Sequence, residues 1–235
     1  MNFDLSEDQL AFQNLASEFA QKELAPKAAE WDANSKFPVE VIKKAGDLGF
    51  CSLYVSEEDG GMALGRLDAS IIIEQLSMGC TSTTAFITIH NMATWMISNF
   101  GPEQLRNEWT PSLCSGKKLA SYCLTEANAG SDAASLKTTA KKEGDTYIIN
   151  GSKSFISGSG ATDCLVLMAR TGKEGAGGIS CFLVPADAAG IEYGKKEEKM
   201  GWKSQPTRIV SLLDVKVPSS NLIGKEGEGF KIAMK

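Results

Sequence analysis

One histidine, His90, serves all 235 residues, and none of the six cysteines belongs to a Cys-x-x-Cys pair. Zinc sites of the ordinary ligand spacing are therefore excluded. Cysteines at 51, 80, 114, 123, 164 and 181 read as scattered buried thiols of a reducing compartment. Long hydrophobic runs are also missing. A spanning helix needs roughly 20 consecutive apolar residues, and the longest uninterrupted run is Cys164–Ala169. Positive charge is not in excess: 24 basic against 29 acidic side chains leave a formal charge of −5. That balance argues against a general nucleic-acid binder, which needs a basic face. Neither a GxGxxG after a strand nor a GxxxxGK[ST] occurs, so a Rossmann dinucleotide site or a P-loop has no direct support. The opening residues MNFDL lack the basic-then-apolar start of a signal peptide and the Arg-rich start of a transit peptide. The chain reads as cytoplasmic, or as a matrix protein if the source is eukaryotic and a presequence is missing.

What is present describes an ordinary globular protein of one or two domains, 43% hydrophobic and 23% charged. Ser6 and Gln9 form a capping box, and Leu10, Leu15 and Phe19 mark a helical face that runs up to Pro26. A second helix follows Pro38, with Gly49 as its C-cap. A Gly-rich loop, 50–66, leads to helices over Asp68–Met78 and Thr83–Phe100. The latter is apolar nearly all round and reads as buried at the centre of a bundle. His90 lies within it and reads as a packed core histidine rather than a base. The acidic groups Glu57-Glu58-Asp59 and Glu197-Glu198 read as solvated faces.

After Lys118 the apolar period changes from 3.6 to 2. Strands are expected over Leu119–Thr125, Leu136–Lys142, Thr146–Ile149, Ser152–Ser157, Cys164–Arg170, Ile179–Val184 and Thr207–Val217. Asn150-Gly151 is both a glycosylation sequon and the strongest hairpin dipeptide; without a secretion signal it reads as a turn. The expected fold is α+β: an all-α domain (1–118), an antiparallel β-barrel or sandwich (119–226), and residues 227–235 opening a further helix. One stretch invites more than a structural reading. Tyr122 to Asp132, YCLTEANAGSD, leaves a strand for a loop of small residues and donors, where backbone N–H groups can approach an anion or a polar ring edge.

That stretch resembles the YC(L/V)TEPGAGSD signature of the acyl-CoA dehydrogenase family. LSEDQLAFQ, EEDGGMALGRLDASIIIEQLS, INGSKSFISGSG and GKKEEKMGWKSQPT resemble further segments of that family in the same order. GCTSTTAFITIHNMATWMI and MGWKSQPTR are most similar to the branch acting on short branched-chain thioesters such as isobutyryl-CoA, in valine breakdown. The resemblance implies an N-terminal helical and a middle β-domain, FAD as cofactor, an acyl-CoA substrate, electron-transfer flavoprotein as acceptor, and a homotetramer. It implies no metal and no catalytic residue within these 235, because the glutamate base belongs to the C-terminal four-helix domain, which the sequence does not contain. Glu226 and Glu228 are not substitutes.

By the same resemblance, Tyr122, Cys123, Leu124, Thr125, Glu126, Ala127, Asn128, Ala129, Gly130 and Ser131 line the flavin, with Thr125 near its pyrimidine edge. Ser131 serves the pyrophosphate and the bound thioester, so it is also a substrate-binding residue. Phe155, Ile156 and Ser157 lie against the isoalloxazine, Phe155 in place of the usual Trp, with the Ser157 hydroxyl near N5. Ala127-Asn128 replaces the usual Pro-Gly; because Asn tolerates positive φ, the loop shape is expected to survive. Two other roles stay open: an acyl-CoA oxidase, and a non-catalytic chain that binds flavin or thioester weakly or associates with full-length subunits.

Overall fold

The computed structural model describes residues 4–235. Helix α1 (Glu7–Phe19) starts as the capping box requires: the Gln9 N–H donates to Ser6 Oγ at 3.2 Å and the Ser6 N–H to Gln9 Oε1 at 3.0 Å. The helical path does not stop at Pro26. A π turn over Ala20–Leu24 leads into α2 (Ala25–Ala33), with Pro26 in its first turn. Proline has no N–H to give, and a widened turn ahead of it leaves no bond to be lost. Helix α3 (Val39–Asp47) follows Pro38.

Helix α4 (Arg66–Phe100) is the spine of the molecule, and it is broken once, at Cys80 (φ −158°, ψ 99°), between the two expected helices. From Ala69 to Ile87, on both sides of that break, it packs into the helical core of Phe19, Leu24, Trp31, Ile42 and Phe50. Its last turns, with Ala93, Met96 and Ile97, pack instead against Val166, Met168 and Leu183 of the sheet. A helix buried on two sides must be apolar on two sides, which accounts for its sequence. Asn91 is buried in it with its amide fully used. Leu53 N–H donates to Oδ1 at 2.7 Å, and Nδ2 donates to Phe50 O and Ile87 O at 2.8 and 2.9 Å, fixing the Gly-rich loop. Asp59 departs from the solvated reading. It is 7% exposed, accepts the Ser98 hydroxyl and lies 3.6 Å from Arg106. Helix α5 (Glu103–Cys114) completes the helical part.

Eight strands follow: β1 (Ala120–Cys123), β2 (Thr139–Glu143), β3 (Thr146–Ser157), β4 (Cys164–Arg170), β5 (Ile179–Pro185), β6 (Ile191–Tyr193), β7 (Thr207–Pro218) and β8 (Leu222–Ile223). Their order is β6-β7-β3-β2-β4-β5-β8, with β1 also on β4. The pairing is antiparallel as expected, except that β1 and β2 meet β4 in parallel. Tyr147, Phe182, Val210 and Val215 fill the interior. The expected turn at Asn150-Gly151 is not a turn: β3 runs straight through it, with a register shift between Ile149 and Gly151. Gly151 adopts φ 152°, and a Cβ there would stand 2.4 Å from Thr138 Oγ1. The Asn150 side chain is turned across to Asp214, with bonds of 2.9 Å each way. A bulge needs the same permissive residues as a hairpin, and here the bulge takes them. The short helix α6 (Gly229–Ala233) ends the chain against β5.

His90 joins the two halves. Ala120 N–H donates to its Nδ1 at 3.0 Å, so Nδ1 carries no proton, and Nε2–H donates to Leu113 O at 3.0 Å. Burial drives its pKa down to about 4, against the opposing hydrogen bond to Leu113. The unfolded chain therefore binds a proton between pH 6.5 and 4 that the folded chain refuses, and stability falls as pH falls through that window, by up to about 3 kcal/mol. In urea titrations His90→Gln should be less stable at pH 7.5 but should lose less stability between pH 6.5 and 4.5 than wild type. Parallel losses would remove His90 as the titrating group.

Candidate functional site

The signature loop leaves the end of β1, and the segment Phe155–Ser157 ends β3. About 30 residues apart in sequence, they are bonded to each other in the fold. Between Lys153 and Ile156 the β3–β7 register slips, leaving Ser154 and Phe155 outside the ladder. The freed Ser154 N–H turns to Thr125 O at 2.9 Å, and Lys153 Nζ donates to Leu124 O at 3.0 Å. Farther along, Ser121 Oγ donates to Ser157 O at 2.7 Å. The bulge also sets side-chain direction. Tyr147, Ile149 and Lys153 point inward by alternation, and without the slip Phe155 would follow them. Instead Ile156 is buried, while Phe155 takes φ 59° and stands 66% exposed. A non-glycine residue at positive φ costs on the order of 1–3 kcal/mol, and such strain gathers at functional sites.

The Lys153 side chain is wholly buried, and its ammonium meets Glu126 Oε1 at 2.8 Å. Glu126 accepts two further bonds, from Thr138 N–H to Oε1 at 2.9 Å and from Lys137 N–H to Oε2 at 2.6 Å. Burial raises the Glu126 pKa, but the Lys153 ammonium and these N–H donors outweigh it and hold the carboxyl below its usual value. Burial pulls the Lys153 pKa down, opposed by the Glu126 carboxylate; the 2.8 Å contact and the N–H donors on the carboxylate favour the ionised pair, and it staples both limbs of the loop to β3.

The remaining expected residues divide by side-chain direction. Tyr122 and Leu124 are half-buried and pack against the same core as Met92 and Trp95 of α4. Burial pushes the Tyr122 phenol pKa up, and its hydroxyl has no hydrogen-bond partner. Cys123 and Ile156 belong to the core of the sheet domain and Ala129 to the α4-facing core, so these three offer backbone only. Glu126 is spent on the clamp. Thr125 and Ser157 are half-buried, while Ala127, Asn128, Gly130 and Ser131 are exposed. Neither Asn128 nor Gly130 adopts positive φ, so the Ala-Asn replacement asks nothing unusual of the backbone. Beneath the loop lies a cavity of about 520 Å³, bordered by Glu126–Ala129, Ser135, Lys137, Thr138 and the Gly151–Ser154 edge of β3. Thr138 Oγ1 is buried there without a partner.

Behind Ser157, Gly158 (φ 77°) lies so close to α4 that a Cβ would reach within 2.4 Å of Phe86 Cε2. The bulge segment is thus braced by the helical half. A second cavity, about 320 Å³, opens between α4 (Thr88, Ile89, Met92, Trp95, Met96) and Ala233 of α6, with Tyr54 and Arg66 at its side. Glu226 and Glu228 are both engaged: the first accepts the Tyr147 hydroxyl and the second the Lys225 N–H at 2.9 Å. Among the described residues no group of histidine, cysteine, aspartate and glutamate could hold a metal, and no helix is long and apolar enough to cross a membrane. All six cysteines are buried and free.

The acyl-CoA dehydrogenase N-terminal domain matches residues 6–117, and the middle domain of that family matches residues 121–215. The chain belongs to the acyl-CoA dehydrogenase family. It is 54% identical over 231 residues to mitochondrial isobutyryl-CoA dehydrogenase of Bos taurus, covering 98% of this chain and 56% of that protein. Butyryl-CoA dehydrogenase from Megasphaera elsdenii superposes with a TM-score of 0.93 at 37% identity, over 100% of this chain and 63% of that one. An FAD complex of PigA gives a TM-score of 0.95 at 31% identity, over 99% and 62%. The chain thus spans little more than half the length of the curated relatives it matches.

Within this family fold, the residues that sequence reasoning passed over are Lys153, Thr138 and Arg170. Strand alternation could have found Lys153, a charge at an inward position of a strand otherwise carrying Tyr147 and Ile149. Breaking a buried pair on one side costs roughly 3–5 kcal/mol, whereas neutralising both partners leaves no stranded charge. Lys153→Met should therefore lower unfolding free energy by about that amount, and the double variant Glu126→Gln/Lys153→Met should recover part of the loss. Additive losses in urea titrations would contradict the clamp.

Proposed function

We propose that this chain supplies the flavin- and thioester-facing part of an FAD-dependent acyl-CoA dehydrogenase acting on a short branched acyl-CoA, with isobutyryl-CoA first among candidates. The observation that carries the reading is the bulge: Phe155 is held in a strained backbone with its ring in the open, beside a loop bonded to the same strand. The residues fit the cofactor on physical grounds. A flat ring system can stack on Phe155, Thr125 and Ser157 on the two adjoining segments are half-buried hydroxyl donors, and the exposed Gly130–Ser131 arc can present donors to a phosphate. When bound, FAD supplies the hydride acceptor for α,β-dehydrogenation.

The chain's own residues bind and orient. Ser157 donates toward the reacting edge of the ring system, Ser131 holds phosphate and borders the thioester, and the small α4–α6 cavity suits a short acyl group. Removal of the α-proton needs a base within hydrogen-bond reach. Glu226 and Glu228 are tied elsewhere, so the base is assigned to protein outside these 235 residues. Electron-transfer flavoprotein as acceptor and a homotetrameric assembly belong to the same proposal. In a eukaryote the activity belongs in the mitochondrion, the compartment in the bovine relative's name. An oxidase would pass electrons to oxygen, and parallel assays with dye and with oxygen separate the two.

Titration of FAD against the chain should quench flavin fluorescence saturably. Phe155→Ala should weaken binding by roughly 1 kcal/mol, the worth of a stacked ring pair. Unsaturable quenching would sink the flavin assignment. With isobutyryl-CoA and an electron-accepting dye, the 235 residues alone should give no turnover, since losing a positioned base typically costs about 10²–10⁴-fold. Activity should appear when the sequence is extended through the part of the bovine relative it does not cover. There Ser157→Ala should slow dye reduction, whereas Ser131→Ala should chiefly weaken binding. Equal turnover by both lengths would mean that a base lies within these residues.

A further inference from the structure

The signature loop is anchored at its far end by a side chain for which the flavin reading has no role. Arg170 closes β4, and its own N–H donates to Thr138 O at 2.7 Å. Its guanidinium then makes five bonds to four main-chain carbonyls. Nε and Nη2 donate to Leu136 O at 3.2 and 3.0 Å, and Nη2 also to Ala134 O at 2.8 Å. Nη1 donates to Lys173 O at 2.7 Å and Gly175 O at 2.9 Å. All five N–H groups of the fork are used, and no carboxylate is among the acceptors. A guanidinium whose whole donor set goes to backbone carbonyls is fixing chain geometry.

Two segments are fixed this way. One is Ala134–Leu136, the exit of the loop that carries Gly130 and Ser131. The other is the 171–178 turn between β4 and β5. That turn supports the chain ahead of α6 through Ser180, whose Oγ lies 2.7 Å from Thr171 Oγ1 and accepts the Gly227 N–H at 2.9 Å. With Glu126 clamped to Lys153 at the entry and Ala134 pegged at the exit, the exposed arc between them is held at both feet.

We propose that Arg170 is a positioning residue for the Gly130–Ser131 arc, acting through the Ala134 and Leu136 carbonyls to set where Ser131 stands against a bound phosphate. This rests on the flavin reading for what the arc holds. Lysine keeps the charge but has one nitrogen, which cannot span four carbonyls around a planar fork.

Hydrogen exchange of the 235-residue chain, measured by mass spectrometry for wild type, Arg170→Lys and Arg170→Gln, tests the assignment. Amides of 130–138 and 171–178 should exchange at least about tenfold faster in both variants while the central amides of β4 and β5 keep their protection. Arg170→Lys, the milder change, keeps the comparison available should Arg170→Gln fail to fold. FAD titrated into the folded variants, under conditions where thermal melts show them fully native, should bind about tenfold more weakly than to wild type. Unchanged exchange at 130–138, loosening spread evenly through the sheet, or unaltered FAD affinity beside a lowered melting temperature would each reduce Arg170 to a structural residue. Should wild type take up no FAD, the flavin reading fails while the exchange pattern still decides what Arg170 holds.

Discussion

A lysine ammonium taken wholly out of water must find a negative partner or give up its proton. In this molecule that requirement falls on Lys153, and the candidate site follows from it. Glu126 has to turn inward to meet the charge. Its second oxygen and its spare lone pairs then capture the Lys137 and Thr138 N–H groups, so the loop closes back on itself. The Leu124 carbonyl completes the ammonium's shell. With the loop drawn against β3, Ser154 bonds to it rather than to β7, the register slips, and Phe155 is turned out of the sheet.

The helical half matters to this arrangement because it supplies a wall that the sheet lacks. Phe86 of α4 presses on Gly158 just past the site, and Ser82, beside the α4 break, accepts the hydroxyl of Ser204 at 2.6 Å. His90 ties the start of β1 to the end of α5 through two bonds that only the neutral ring can make together. The site is built on the β-domain and kept in register by the helices, and α4 passes from the helical core to the sheet-side core between Ile87 and Ala93.

Much of this was legible in the sequence. The change of period after Lys118 separates helices from strands because side-chain spacing follows backbone geometry. The Ser6–Gln9 box, the two-sided apolar helix and the packed His90 follow from equally local rules. The failures share a cause as well. Asn150-Gly151 reads as a turn, although a bulge needs the same backbone. Asp59 reads as solvated, although a hydroxyl 39 positions and an arginine 47 positions downstream draw it in. Neither is decided by nearby residues. The signature loop stands out in the sequence as a candidate binding loop, but which of its side chains are spent on structure depends on Lys153, distant in sequence.

The central claim is that the Lys153–Glu126 clamp presents Tyr122–Ser131 and Phe155–Ser157 as one flavin-facing surface. The most direct measurement is hydrogen exchange of the chain with and without saturating FAD, resolved to short peptides. Protection should rise in the peptides spanning 122–131 and 155–157 together and be weak elsewhere. Protection absent from both, or centred instead on the separate cavity bordered by Trp109, Lys118 and Tyr193, would contradict the account.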